Sequence, residues 1–153
     1  MGSTSLEFGD VFIADDKAIK LGSDQDATIE YDEDGTDRLI IGGANVTFGK
    51  SVLGAAQTAN ATGNTALDFA TYQNFLLTAT GNITLTNPST ETVGQSGFIV
   101  IKQDGTGSRT LSIGTQYVTV GDATYVLSTA ANAIDLIPYA VSYTHLRAHE
   151  TLI

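Results

Sequence analysis

Between residues 12 and 48 the chain repeats one pattern, in which two apolar residues two positions apart precede a polar turn rich in Asp and Gly. Side chains two apart point to the same face of a strand. The pattern therefore predicts an acidic module of short β-strands over residues 1–48, arranged as a meander or an irregular β-solenoid. The predicted inward-facing pairs are Ile19/Leu21, Ile29/Tyr31, Leu39/Ile41 and Val46/Phe48.

Each of these strands offers only two core residues. A module of about 40 residues buries too small a fraction of its surface to be secure alone. We therefore expect it to pack against a neighbouring module or against copies of itself.

Residues 49–65 lose the alternation and consist mainly of small and polar side chains. This composition predicts a linker or an extended connection.

Strand signals return at intervals of about ten residues from 66 to 140, which is typical of a sandwich or jelly roll. The predicted strands are 66–70, 74–80, 82–86, 97–103, 109–113, 117–120, 124–127 and 133–139. The run from Phe98 to Ile101 is continuously apolar, as expected of a central strand covered on both faces. Asp104-Gly105 predicts a hairpin that joins 97–103 to 109–113. The chain is thus predicted to be all-β, with an antiparallel β-sandwich or jelly-roll-like second module.

The last thirteen residues have a different character. Residues 141–151, VSYTHLRAHET, read as the in-frame translation of a common transposon-end sequencing adapter. We therefore expect residues 141–153 to be a non-native tail and the second module to be truncated near Ala140. Both histidines, His145 and His149, lie in this tail, so their i,i+4 spacing does not support a zinc site.

Composition narrows the chemistry further. Cysteine is absent, which excludes disulfides and thiolate metal sites. The net charge is −10, and the first 50 residues carry 11 acidic against four basic side chains. Such a surface repels phosphate, so no nucleic-acid partner is expected. No apolar stretch approaches the roughly 20 residues that span a bilayer, and no signal peptide is expected at the start.

One acidic turn suggests a cation site. Asp32, Asp34 and Asp37 surround Gly35, and closely spaced carboxylates suit calcium. The spacing departs from the EF-hand loop, however, and a solvated Asp-Gly turn explains the same residues. The turn is the favoured interpretation, with calcium as the alternative.

No catalytic group stands out. Before residue 141 the chain has neither His nor Cys. A carboxylate pair for polysaccharide hydrolysis would have to come from Asp68, Glu91, Asp104, Asp122 and Asp135. Each of these has a turn or solvent-facing explanation, so we expect no enzymatic activity and no cofactor.

Three aromatic residues, Tyr72, Tyr117 and Tyr125, are candidates for contact with a carbohydrate ligand. Aromatic residues at strand spacing more often belong to a core or its rim, so this assignment has a structural alternative.

Several strings carry a family resemblance. They are residues 80–85 (TGNITL), 97–110 (GFIVIKQDGTGSRT) and 127–135 (LSTAANAID). Together they resemble a β-domain common in tail-fibre and virion structural proteins of tailed phages. Residues 16–48 are similar to short repeats that precede such domains in marine phages. One departure is Tyr117, because relatives often carry Trp in that segment, which puts a sugar-stacking role there in doubt.

The resemblance implies a non-enzymatic virion protein. Such a protein would be a tail-fibre or appendage segment, assembled in the host cytoplasm, that acts as a trimeric shaft or display scaffold for host attachment. Its partners would be copies of itself, other virion proteins and a host surface glycan or protein. The alternatives are a receptor- or glycan-binding module and a fragment of a bacterial surface adhesin.

Overall fold

The computed structural model describes residues 10–14, 17–32, 38–119, 121, 123–142 and 145–148. The chain forms two compact units, Met1–Val52 and Leu53–Ile153. The described residues contain ten β-strands and no α-helix, which confirms the predicted all-β class. Accordingly, this part of the chain has no helix long and apolar enough to span a membrane.

The first unit contains a three-stranded antiparallel meander. Its strands are β1 (Ala18–Leu21), β2 (Ala27–Asp32) and β3 (Arg38–Gly42). Ile19 pairs with Ile29 and Ile29 with Ile41, while Tyr31 pairs with Leu39. Because paired residues share a face, three of the four predicted apolar pairs lie together on one side of the sheet.

The fourth pair, Val46/Phe48, was predicted wrongly. Residues 45–48 lie outside any strand. Gly43 has a φ of 80°, and a Cβ at this position would meet the backbone of Asp26. The backbone therefore leaves the extended strand conformation directly after β3.

The second unit contains a seven-stranded sheet. The strands are β4 (Ala56–Thr65), β5 (Asn74–Leu85), β6 (Ser96–Gln103), β7 (Leu111–Ile113), β8 (Tyr117–Thr119), β9 (Ile134–Ser142) and β10 (His145–Ala148). They pair in the order β4-β5-β6-β9-β10-β8, and β7 pairs with the second half of β5.

Strand direction differs from the antiparallel arrangement that was predicted. β5 pairs in parallel with β4, β6 and β7, whereas β9 is antiparallel to β6 and β10. Since β6 and β7 run in the same direction, Asp104-Gly105 is not the turn of a hairpin between them. β6 pairs with the first half of β5 and β7 with the second half, and the segment between β6 and β7 connects these two positions along β5.

β5 runs unbroken through Gly81, where the sequence predicted a turn between two strands. A Cβ at Gly81 would overlap the side chain of Thr62, and β4 shifts its register between Ala61 and Gly63. Gly81 thus permits a close approach of two strands at a bulge.

The predicted strands 66–70 and 124–127 are irregular in the structure. They still contribute Leu67, Phe69 and Leu127 to the core. Conversely, the interval 49–65 that was predicted as a linker contains the ten-residue strand β4. Only Ala61 of this strand is fully buried, and its other side chains are small or polar. The strand therefore shows no clear alternation of apolar and polar residues.

The core lies on one face of β5, β6 and β9. Alternate residues of β5 from Phe75 to Leu85, except Gly81, are buried. Phe75 makes edge contacts with Phe69 at a centroid distance of 4.8 Å, and Phe69 with Tyr139 at 5.4 Å. The Tyr139 hydroxyl donates to the Gln73 carbonyl at 2.6 Å, and burial raises the pKa of Tyr139 to about 12.

β6 is a central strand, as its apolar run predicted, but its two faces differ. Ile99 and Ile101 are buried, whereas Phe98 is 38% exposed. The adapter hypothesis for residues 141–153 stays a prediction. Val141 lies at the end of β9 and is buried in the core, and β10 belongs to this tail.

Candidate functional site

The three tyrosines chosen from the sequence lie in different surroundings. Tyr117 is only 8% exposed and belongs to the core, whereas Tyr72 and Tyr125 are partly buried against it. Tyr117 and Tyr125 line a common groove, and Tyr72 is not among its lining residues. The ring of Tyr117 thus presents no open face on which a sugar could stack.

Two shallow depressions adjoin at Tyr125, and we call them together the Tyr125 groove. One, of about 440 Å³, is lined by the hydroxyl-bearing residues Ser112, Thr115, Thr119 and Thr124. The other, of about 230 Å³, is lined by Ser108, Arg109, Thr110 and Val126. Both include Leu111, Thr124 and Tyr125. The groove therefore combines two aromatic side chains, of which Tyr117 is buried, with several hydroxyls and one cation.

The Tyr117 hydroxyl is buried and has no hydrogen-bond partner among the described residues. Burial raises the pKa of the Tyr117 phenol above its usual range, and the negative charge of Glu91 raises it further. The phenol stays protonated at neutral pH, so Tyr117 cannot act there as a base.

One wall of the groove is held by the loop between β6 and β7. Arg109 binds Asp104 through two guanidinium nitrogens, with an Nη2–Oδ2 distance of 2.7 Å. The Asp104 carboxylate also accepts the backbone N–H groups of Thr106 and Gly107. Such a two-pronged pair fixes the direction of the arginine as well as its charge.

The same loop has a second attachment. The side-chain amide of Gln103 is fully buried. Its oxygen accepts a hydrogen bond from the backbone N–H of Arg109 at 2.9 Å, and its nitrogen donates one to the backbone carbonyl of Arg109 at 3.0 Å. Gly107 has a φ of 76°, and a Cβ there would meet the Thr129 carbonyl at 2.5 Å. Sequence inspection assigned no role to Gln103 or Arg109, because their pairing depends on how the loop folds back.

The pH dependence of this loop can be predicted. Its hydrogen bond with Arg109 is the main reason that the pKa of Asp104 is lowered. A lowered carboxylate pKa stabilises the fold above the pKa of the unfolded chain, and this contribution is lost as the pH falls through the folded-state pKa. We expect Asp104→Asn to lower the melting temperature at pH 7 and to leave it nearly unchanged well below pH 3.8.

Circular dichroism melts at several pH values measure this difference. Asp24→Asn is the control, since it removes the same charge from an exposed turn of the first unit. Equal effects of Asp104→Asn at neutral and at strongly acidic pH would contradict the ion pair.

Other carboxylates from the sequence survey also serve turns. Asp68 accepts the N–H groups of Ala70 and Thr71, and hydrogen bonding with Thr71 is the main reason that the pKa of Asp68 is lowered. Asp135 accepts both the N–H and the hydroxyl of Ser128. Asp122 lies outside the described residues. Asp68, Asp104 and Asp135 thus each have a structural role as hydrogen-bond acceptors in turns or loops.

Only one of the three carboxylates in the calcium hypothesis lies among the described residues. Asp32 pairs with Arg38 at 3.4 Å, and Asp34 and Asp37 lie outside the described residues. Across the stretches that the structure describes, no three His, Cys, Asp or Glu side chains gather as a metal site. Calcium binding stays a prediction.

Comparison with known proteins shows a family similarity within the second unit. Residues 69–142 match the family model described as "Putative phage tail fibre C-terminal domain". No curated protein and no solved structure gave a significant match. The matched segment covers β5 to β9, including the core and the Asp104–Arg109 loop. The match over residues 69–142 therefore supports a phage tail-fibre protein.

Proposed function

We propose that the chain is a non-enzymatic segment of a phage tail fibre that associates as a homotrimer and holds a host-attachment tip away from the virion. The observation that carries this proposal is the family match over the strands that form the core of the second unit. Its work is mechanical, and it assembles with other virion proteins.

The hydrogen bonds of several polar side chains in the second unit support a structural role for the domain. In the second unit, Asp68, Asp104 and Asp135 hold turns, and Gln103 ties a loop to itself. Side chains that satisfy backbone groups in this way make the loops rigid. A rigid domain whose polar side chains serve its own loops suits a fibre segment that transmits force between virion and host.

The first unit supports association between copies. Its three short strands leave apolar side chains exposed, for example Leu39 at 68% and Leu21 at 49%. A sheet of this size needs cover on its apolar face to be stable in water. A fibre built from several chains supplies such cover.

Sedimentation equilibrium on the complete protein tests the proposed oligomer. We expect one species with three times the mass of the chain at micromolar concentration. A monomer over the same concentration range would refute the trimeric shaft.

A second candidate function is recognition of a host glycan at the Tyr125 groove. The observation that favours it is the clustering of hydroxyls and of Arg109 around Tyr125. We expect Tyr125→Ala to abolish any glycan binding, whereas Tyr72→Ala, outside the groove, leaves it intact. A glycan array with both variants measures this. Binding that survives Tyr125→Ala would exclude the groove.

A further inference from the structure

The lining of the Tyr125 groove is both hydroxyl-rich and apolar. Serine and threonine side chains line both of its depressions, and Leu111, Leu127 and Val126 contribute apolar surface beside them. The larger depression, of about 440 Å³, falls within the range of about 300–1,000 Å³ that is typical of small-ligand sites. A sugar ring has a matching character, because its hydroxyls project from the edge and its C–H groups form the faces.

Two of the hydroxyls in the larger depression are already oriented by the protein. The Thr119 hydroxyl donates to the Ala123 carbonyl at 2.6 Å, so its oxygen remains as an acceptor. The Thr115 hydroxyl accepts the side-chain amide of Asn87 at 3.1 Å, so its proton remains to be donated. A ligand with hydroxyl groups can donate to Thr119 and accept from Thr115, whereas an ionised carboxylate or a sulfate can only accept.

The charge in the groove is neutralised from within the protein. Of the described residues that line it, only Arg109 is charged, and its Nε and Nη2 atoms are bound by the Asp104 carboxylate. A guanidinium group has five N–H donors, so donors remain for a ligand although the charge is balanced. An acidic ligand would meet the Asp104 carboxylate beside the same guanidinium, in a chain whose net charge is −10.

We propose that the Tyr125 groove binds neutral glycans, whose sugar units carry no carboxylate, phosphate or sulfate. Sugar hydroxyls exchange hydrogen bonds with Thr115 and Thr119, and Arg109 contributes donors without a net charge. Tyr125 and Leu111 pack against the C–H groups of the ring. This inference rests on the proposed recognition of a host glycan and specifies the chemical class of that glycan.

The salt dependence of binding tests the class directly. The probes are a glycan array of neutral glucose, galactose, mannose and N-acetylglucosamine oligosaccharides, and matched glycans that carry sialic acid, uronic acid or sulfate. We expect the full chain to bind neutral members, with an affinity that changes less than about twofold between about 0.01 and 1 M salt, over which the Debye length falls from about 30 to 3 Å. An acidic ligand held by Arg109 would instead lose at least about tenfold in affinity over this range.

Charge placed at the rim of the groove gives a second test. Val126 lines the smaller depression and is 79% exposed, so it can be replaced without disturbing the core. We expect Val126→Lys and Val126→Glu to weaken binding of neutral glycans to the same extent, within about twofold, because each removes the same apolar contact. Val93→Lys and Val93→Glu are the control pair, since Val93 is 67% exposed and is not among the lining residues of the groove.

The outcomes separate the inference from the function on which it rests. Preference for acidic glycans, or stronger binding with Val126→Lys and weaker binding with Val126→Glu, overturns the neutral class and leaves glycan recognition in place. Neutral-glycan binding that persists in Tyr125→Ala overturns the assignment to this groove. A chain that binds neither class refutes glycan recognition itself.

Discussion

Phe75→Ala is expected to destabilise the second unit by about 3–5 kcal/mol, the range seen when a buried phenylalanine is removed from a core. Phe75 is completely buried and packs against both Phe69 and Tyr139. The cavity cannot collapse easily, since Phe75 is part of β5, which is paired with β4 on one side and β6 on the other. Urea unfolding followed by circular dichroism measures the loss.

Leu76→Ala is the matched control. Leu76 is the next residue on the same strand, but it points to the other face and is 38% exposed. We expect it to cost less than about 1.5 kcal/mol, since a half-exposed leucine loses only part of its burial free energy. Similar losses for the two variants would mean that the core does not lie on the Phe75 face.

Gln103→Leu is expected to cost about 2–4 kcal/mol, because each unsatisfied buried hydrogen-bonding group costs about 1–3 kcal/mol. Leucine fills a similar volume but can neither accept the Arg109 N–H nor donate to the Arg109 carbonyl. The loop that carries Asp104 and Arg109 should loosen at the same time. We therefore expect faster amide hydrogen exchange at Arg109 in addition to the lower stability.

Gln73→Leu serves as the control for that substitution. The Gln73 amide also donates to a backbone carbonyl, that of Ser96, but on the exposed surface, where water can replace it. Its loss should stay below about 1 kcal/mol. A stable Gln103→Leu protein with unchanged exchange at Arg109 would contradict the role assigned to the buried amide.

The faces of the strands followed from the sequence, but their directions did not. In the first unit, strict alternation at Ile19/Leu21, Ile29/Tyr31 and Leu39/Ile41 specified which side chains share a face. In the second unit, short turn-like segments suggested hairpins. Alternation is identical in parallel and antiparallel strands, so the pattern carries no information on direction.

The sequence did not predict β4, because this strand pairs with β5 through small and polar side chains and contains no large apolar residue. Its residues are Ala, Thr, Asn, Gln and Gly, whose hydropathy hardly alternates. Gly81 was taken for a turn, although it accommodates the close approach of Thr62 across the strand pair. Contacts of this kind depend on a partner strand and leave no mark in the local sequence.

The candidate site was predictable only in part. The sequence selected Tyr117 and Tyr125, which the fold brings to one groove, and Tyr72, which it does not. Spacing along strands could not reveal that Tyr117 is buried. The hydrogen bonds of Gln103 and the ion pair of Arg109 span five or six residues of irregular loop, beyond the range of periodic patterns.

Immunogold electron microscopy of phage particles that carry this gene tests most directly whether the chain is a tail-fibre component. With antibodies raised against the protein, we expect gold particles along or at the ends of the tail fibres. Labelling confined to the capsid, or intact virions that carry none of the protein while it remains in the host lysate, would contradict the account.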